Sequence, residues 1–290
     1  MARRGSGGSR SAVLAVLLVL GAIAVWLAVA GGGPAPGDGA SPTTVGRGAD
    51  GSSSTAAGDR AVAVEWPRSP RRVLLVGDSL SVEVAPHARA AFGADGDEVA
   101  HIGFSGTAIC DWWDDIDRRL AAPDRPDLVI ALFSGNALSP CMTARTGILA
   151  GILDQVSTQD HPGYQAAWRA DVAALVERTV GAGVPLALVG SPASRTLSEA
   201  RPDRRPFVDS LYRAQASAVR SVGYVDLDPL LTPGGRFAAA LPCVAGEPSC
   251  TPGQLVPVRA DDGGHLCEPG GFCHGAWRVA AMLHQQLRGR

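Results

Sequence analysis

The stretch Arg71–Val84, RRVLLVGDSLSVEV, begins as an apolar strand and breaks at Gly77-Asp78-Ser79. An unbroken aliphatic run such as Val73–Val76 suits a strand buried on both faces, the condition of a parallel sheet. The residues beyond the break read as a helix starting near Ser81, so Asp78 or Ser79 stands where a helix cap belongs. The same strand–Gly-x-Ser–helix turn also exposes a hydroxyl at a helix N-terminus, where amide N–H groups face developing negative charge. Cap or nucleophile is the question this stretch raises.

Outward from it, four further apolar runs recur: Val99–Ile102, Leu128–Phe133, Leu186–Val189 and Tyr224–Leu227. Helical patterns separate them. Trp168, Val172, Leu175, Val176 and Thr179 share one helical face, and GAGVP (181–185) ends that helix with Gly and Pro. A second helix is predicted from Pro206 to Arg220, with Phe207, Leu211, Ala214 and Ala218 inward. A third closes the chain, with Val279, Met282, Leu283 and Leu287 inward. Alternating strands and helices predict an α/β fold, a three-layer α/β/α sandwich on a five-stranded parallel sheet. Such sheets place their sites at the carboxyl ends of the strands, where Gly77-Asp78-Ser79 lies.

The N-terminus has another character. Residues 1–11 are basic, and Ala12–Ala30 is an uncharged apolar run long enough to cross a bilayer core of about 30 Å. Arg3, Arg4 and Arg10 predict a cytoplasmic amino end and an extracytoplasmic domain, on a single-pass anchor. Ala28-Val29-Ala30 also fits a cleavage site, so a signal peptide and a secreted domain is the alternative. Residues 31–66 are rich in Gly, Ser, Thr, Pro, Ala and Asp and predict a disordered tether. The catalytic candidate is then one domain, 67–290. The net charge of −2 over 290 residues gives no electrostatic ground for a nucleic-acid partner.

Six cysteines in an exported domain predict three disulfides. Sequence proximity favours Cys243–Cys250 and Cys267–Cys273, leaving Cys110 with Cys141. No C-x-x-C pair is present, and no metal is expected. Among the histidines, His265 lies in a polar Gly-rich loop, RADDGGHLCEPGGFC (259–273), three residues after Asp262. Asp262 is placed to hold the imidazole Nδ1 of a general base, with Asp261 as competitor for that role. His274 and His284, on or beside the last helix, are weaker candidates. Oxyanion donors are available in GFSGTAICDWW (103–113), through the Gly106 backbone, and in FSGNALSPC (133–141), through the Asn136 side chain; Ser79 N–H completes the set. Trp112 and Trp113 are candidates for a sugar platform or for core.

Together these blocks resemble the SGNH (GDSL) hydrolase superfamily: Gly77-Asp78-Ser79-Leu80, Gly106, Asn136 and Asp262-Gly-Gly-His265 occur in that family's order. Where the family has Gly-x-Asn-Asp, this chain has Ser134-Gly135-Asn136-Ala137. The resemblance implies a flavodoxin-like sandwich without metal or organic cofactor, and a serine esterase with Ser79, His265 and Asp262 catalytic. A tethered domain just outside the membrane meets envelope glycans or lipid-linked sugars, so such substrates carrying acetyl or other acyl groups are expected; similar domains of that family act on such polymers, in some cases beside a membrane acyltransferase partner. An O-acyltransferase and an inactive carbohydrate-binding domain are the alternatives. Residues 143–165 read as a lid or as a connecting helix.

Overall fold

The apolar runs form one sheet, in which those of 73–76, 128–133 and 186–189 are buried on both faces and that of 99–102 lies half-buried at an edge. The computed structural model describes residues 64–69, 71–267 and 270–288. Strand β1 (Arg72–Gly77) leads into helix α1 (Ser79–Gly93) and strand β2 (Glu98–Gly103). A 3-10 turn (Ile109–Trp112) and α2 (Trp113–Ala121) precede β3 (Leu128–Leu132). Then come α3 (Pro140–Thr146), α4 (Gln155–Asp160), α5 (Pro162–Gly181) and β4 (Leu186–Val189). Helices α6 (Arg195–Ala200) and α7 (Phe207–Ala218) lead to β5 (Val222–Val225) and α8 (Asp228–Leu231). A small hairpin of β6 (Ala240–Pro242) and β7 (Leu255–Pro257) comes before the closing helix α9 (His274–Leu287).

The main sheet is parallel throughout, in the order β2-β1-β3-β4-β5, the flavodoxin-like order. Alternation along β1 sends Val73 and Leu75 to one face and Leu74 and Val76 to the other, all essentially inaccessible. Val84, Ala88 and Phe92 of α1 and Val279 and Leu283 of α9 cover the first face. Ile116 of α2, Trp168 and Leu175 of α5 and Tyr212 of α7 cover the second. The chain leaves β1 toward β2 and returns to β3 on β1's other side. The strand order therefore reverses between the carboxyl ends of β1 and β3, where open α/β sheets bind their ligands.

Most elements lie where the sequence places them. The α5 face is the predicted one, with Trp168, Val172, Leu175, Val176 and Thr179 all buried. Helix α7 is rotated from expectation: Val208, Asp209 and Tyr212 are buried, while Ala214 and Ala218 are exposed. Tyr212 and Val208 fill more volume against the sheet than two alanines, and the Asp209 carboxylate is carried inward to accept from the Tyr224 hydroxyl at 2.5 Å. The fifth strand begins two residues earlier than Tyr224, and Leu227 instead precedes α8 as a buried residue. The β6–β7 hairpin has no counterpart in the sequence reading, because three-residue strands are too short to show a period.

The basic segment 1–11, the anchor or signal segment 12–30 and nearly all of the tether 31–66 lie outside the described residues. At the tether's end the side chain of Trp66 already packs over Gly223 of β5, so the folded part starts slightly before Pro67. Among the described residues no helix is long and apolar enough to cross a membrane.

Candidate active site

The opening question has a divided answer. Asp78 is the cap: its Oδ1 accepts the Leu80 N–H at 3.0 Å. Ser79 is the first helical residue, so its hydroxyl is not needed for capping and its N–H has no partner within the helix. Gly77 permits the turn, since a Cβ there would overlap the Leu132 carbonyl and lie 2.6 Å from Ser81 Cβ.

The second Asp78 oxygen gathers the neighbouring loop. Oδ2 accepts from Ser134 N and Ser134 Oγ, both at 2.6 Å, and from Asn136 Nδ2 at 2.9 Å. One carboxylate thus ties the tip of β1 to the loop after β3. Burial raises the Asp78 pKa, partly offset by the hydrogen bonds from Ser134 and Leu80 and by the nearby His265. Sequence reasoning saw only a cap here, because residue 134 is remote along the chain.

Asn136 faces the site differently from expectation. Its amide donates to Asp78 and also, at 3.0 Å, to the Thr107 carbonyl. Both amide hydrogens are engaged, so Asn136 acts here as a strut between the β1, β2 and β3 loops. The backbone amides of Ser79 and Gly106, in contrast, have no hydrogen-bond partner among the described residues. Gly106 adopts φ +80°, a conformation that favours glycine, and among the described residues no hydrogen bond engages its N–H. Its loop is braced three times: by the Cys110–Cys141 disulfide, by Asp111, which accepts from Ala108 N and Cys141 N, and by Trp112 Nε1, which donates to Thr107 Oγ1. Trp112 and Trp113 are therefore packing residues, the latter under the Arg178 guanidinium at 4.3 Å, and neither lines the cavity described below.

His265 is held from every side. Its Nδ1 pairs with Asp262 Oδ2, while Asp262 Oδ1 accepts from Gly264 N at 2.7 Å and His265 N at 2.9 Å. Nδ1 is thereby committed, leaving Nε2 for chemistry. Burial pulls the imidazole down, but the hydrogen bond and charge of Asp262, with Glu83 and Asp78 behind, more than reverse this and hold it above its usual 6.5. Burial likewise pushes Asp262 up, and its three hydrogen bonds from the His265 loop bring it down to about 2. Buried Arg259 donates to the carbonyls of Gly263, Gly264 and His265, fixing the loop from below. Neither Arg259 nor Glu83 carries a motif that marks it in sequence.

Three other histidines are engaged elsewhere. His101 Nε2 lies 2.9 Å from Ser81 Oγ, but that hydroxyl is wholly buried and donates its proton to the Asp78 carbonyl, so the imidazole can only donate to it. His274 is buried against Glu247, which also binds Arg278, and His284 pairs with Asp95. The remaining cysteines form Cys243–Cys250 and Cys267–Cys273. Two clusters with ligand-like spacing, Cys110-Asp111-Cys141 and Cys243-Glu247-Cys250, each contain a disulfide and so offer no thiolate to a metal.

Ser79, Gly106, Asn136 and His265 line a single cavity of about 470 Å3 at the sheet's switch point. Residues 143–165 form the end of α3, α4, the loop between them and the start of α5, and Leu153, Gln155, Thr158 and Gln159 of this stretch line the same cavity. No carboxylate is among the described lining residues.

The model of the family described as "Protein of unknown function (DUF459)" matches residues 72–274, which span β1 to the start of α9. The chain belongs to this family. No curated protein matches the sequence. Among solved structures, this DUF459 chain is similar to a GDSL-like lipase from Bacteroides thetaiotaomicron, at 16% identity and a TM-score of 0.47, covering 78% of this chain and 93% of that one. It is also similar to an acetyl xylan esterase, at 14% identity and a TM-score of 0.47, over 74% of this chain and 98% of that one. A third is the catalytic domain of peptidoglycan O-acetyltransferase A from Streptococcus pneumoniae, at 12% identity and a TM-score of 0.42, over 74% and 91%.

Proposed function

We propose that this DUF459 protein is a serine esterase that works through an acyl-enzyme. The observation carrying this reading is that Ser79, at a helix N-terminus with an open amide, shares one cavity with a histidine whose Nδ1 is held by a carboxylate. His265 Nε2 takes the Ser79 proton as Oγ bonds to the ester carbonyl carbon. The resulting oxyanion rests on the amides of Ser79 and Gly106. The imidazolium then gives its proton to the departing alcohol, leaving the acyl group on Ser79. Water completes hydrolysis. A sugar hydroxyl entering instead would make the same site an O-acyltransferase.

The cavity has no described carboxylate and offers serine, threonine and amide side chains beside Leu138, Leu153, Leu197 and the Arg259 guanidinium, so it presents hydroxyl-binding, apolar and cationic surface to an ester. With the export and tethering expected of residues 12–66, O-acylated envelope glycans are the substrates that fit best. Mass spectrometry of the full chain after incubation with envelope extracts tests this. The expected product is an acyl adduct on the peptide carrying Ser79, with a mass that identifies the group. An unmodified Ser79, or an adduct elsewhere, would overturn the reading. Adding an acceptor glycan distinguishes the transferase, which moves the label to sugar rather than to water.

Two outcomes follow from the geometry. The value of kcat/KM should rise with pH through an apparent pKa above 6.5, since the base must be neutral and its pKa is raised. Asp262→Asn should move that limb to lower pH and cut the rate by at least about 10²-fold; a pH–rate profile of both proteins checks it. Asp262 also adds stability that is present above 3.8 and lost as pH falls toward 2, an effect weakened by its exposure. Separately, mild reduction of Cys110–Cys141 should lower activity before far-UV dichroism changes, because that bridge joins the loops of Gly106 and Asn136. Parallel loss of both signals would contradict it.

A further inference from the structure

Glu83 lies four residues after Ser79 on α1, so the two side chains share a helix face one turn apart. Its Oε2 accepts the Leu266 N–H at 2.8 Å. The adjoining His265 carbonyl is held by Arg259 Nε at 3.2 Å and Ala260 N at 2.9 Å. The peptide that follows the candidate base is therefore gripped at both ends, its N–H by a carboxylate from the nucleophile's own helix. We propose that Glu83 is a positioning residue of this site, fixing the His265–Leu266 peptide relative to Ser79 and placing a second negative charge behind the imidazole. This rests on the serine-esterase reading and assigns it a residue outside the triad.

A merely structural acceptor for Leu266 N–H would not need a charge. Drawing a carboxylate even partly out of water is unfavourable unless a cation answers it; Glu83 is half-buried, and among the described residues no ion pair involves it. Arg259, the guanidinium in this region, directs its N–H groups to backbone carbonyls. Burial, with Asp262 in support, raises the Glu83 pKa, and the Leu266 N–H, His265 and the Cys267 N–H draw it partly back. The groups facing the imidazole are Asp262 from its own loop, Glu83 and Asp78 from the α1 end, and Arg259 from below. Those facing Glu83 are His265, Asp262 and Arg259, with His87 one turn further along α1. When His265 takes the serine proton, the imidazolium forms with Asp262 on its Nδ1 and the charges of Glu83 and Asp78 nearby.

Glu83→Gln keeps an acceptor for Leu266 N–H and removes the charge; Glu83→Ala removes both. In the full chain, Glu83→Gln should lower the His265 pKa, followed by NMR titration of its Cε1–H, by about half a unit. It should also shift the acid limb of kcat/KM toward lower pH by the same amount, with a plateau within about tenfold of wild type. Glu83→Ala should show the same shift and a plateau lower by a further factor of about ten. A titration and acid limb unmoved in Glu83→Gln, with or without a loss of thermal stability, would overturn the proposal. Ser79→Ala separates the two levels: if it leaves hydrolysis intact, the esterase reading fails. If it abolishes hydrolysis while Glu83→Gln moves nothing, only the role of Glu83 falls.

Discussion

Ser79→Ala should reduce hydrolysis of p-nitrophenyl acetate by the full chain by about 10⁴-fold or more in kcat/KM, while leaving its melting temperature unchanged. The size follows from the division of labour in such sites. Without the nucleophile no acyl-enzyme forms, and the oxyanion donors and binding contacts alone sustain only a small residue of catalysis. Stability should be spared because capping belongs to Asp78, so the substitution removes no hydrogen bond from the helix. Ser79 is only partly buried, and alanine is the better helix former at this position. Steady-state assays and thermal melts on the two proteins are sufficient. Equal rates would end the esterase reading and favour the carbohydrate-binding alternative.

The largest expected loss of stability lies one residue earlier. Asp78→Ala leaves four donors without an acceptor: Leu80 N, Ser134 N, Ser134 Oγ and Asn136 Nδ2. Each buried donor left unmet costs about 1–3 kcal/mol, less what relaxation and water recover, so a total of roughly 3–5 kcal/mol is expected. Activity should fall with it by at least about 10²-fold, since the loop carrying Asn136 loses its anchor and Asn136 in turn holds the Thr107 carbonyl beside Gly106. Asp78→Asn should be milder, at roughly 1–2 kcal/mol. Its carbonyl can serve the three donors at Oδ2, and its NH2 then opposes the Leu80 N–H and forfeits the cap. It also removes a charge whose burial is unfavourable, as the raised pKa of Asp78 indicates. Urea midpoints should therefore rank wild type, Asn variant, Ala variant in descending order. Coincident midpoints for wild type and Asp78→Ala would show that the gathered donors find other partners.

Much of this protein is decided locally. Apolar runs of four to six residues, Gly and Pro at their ends and the 3.6-residue spacing of Trp168, Val172 and Leu175 settle the strands, the main helices and hence the parallel sheet. Ser79, Asp262 and His265 are likewise visible, because the first sits at a strand–helix break and the other two are three residues apart. Partnerships across the chain are another matter. Asp78 meets Ser134 and Asn136 across 56 and 58 residues, and Glu83 meets Leu266 across 183. The turn of α7 that buries Tyr212 in place of two alanines depends on the volume left by the sheet, which no residue of α7 records. Periodicity and turn chemistry act between near neighbours, so a sequence displays them directly. Which donor a buried carboxylate satisfies depends on strand register and loop path, and only the assembled sheet sets those.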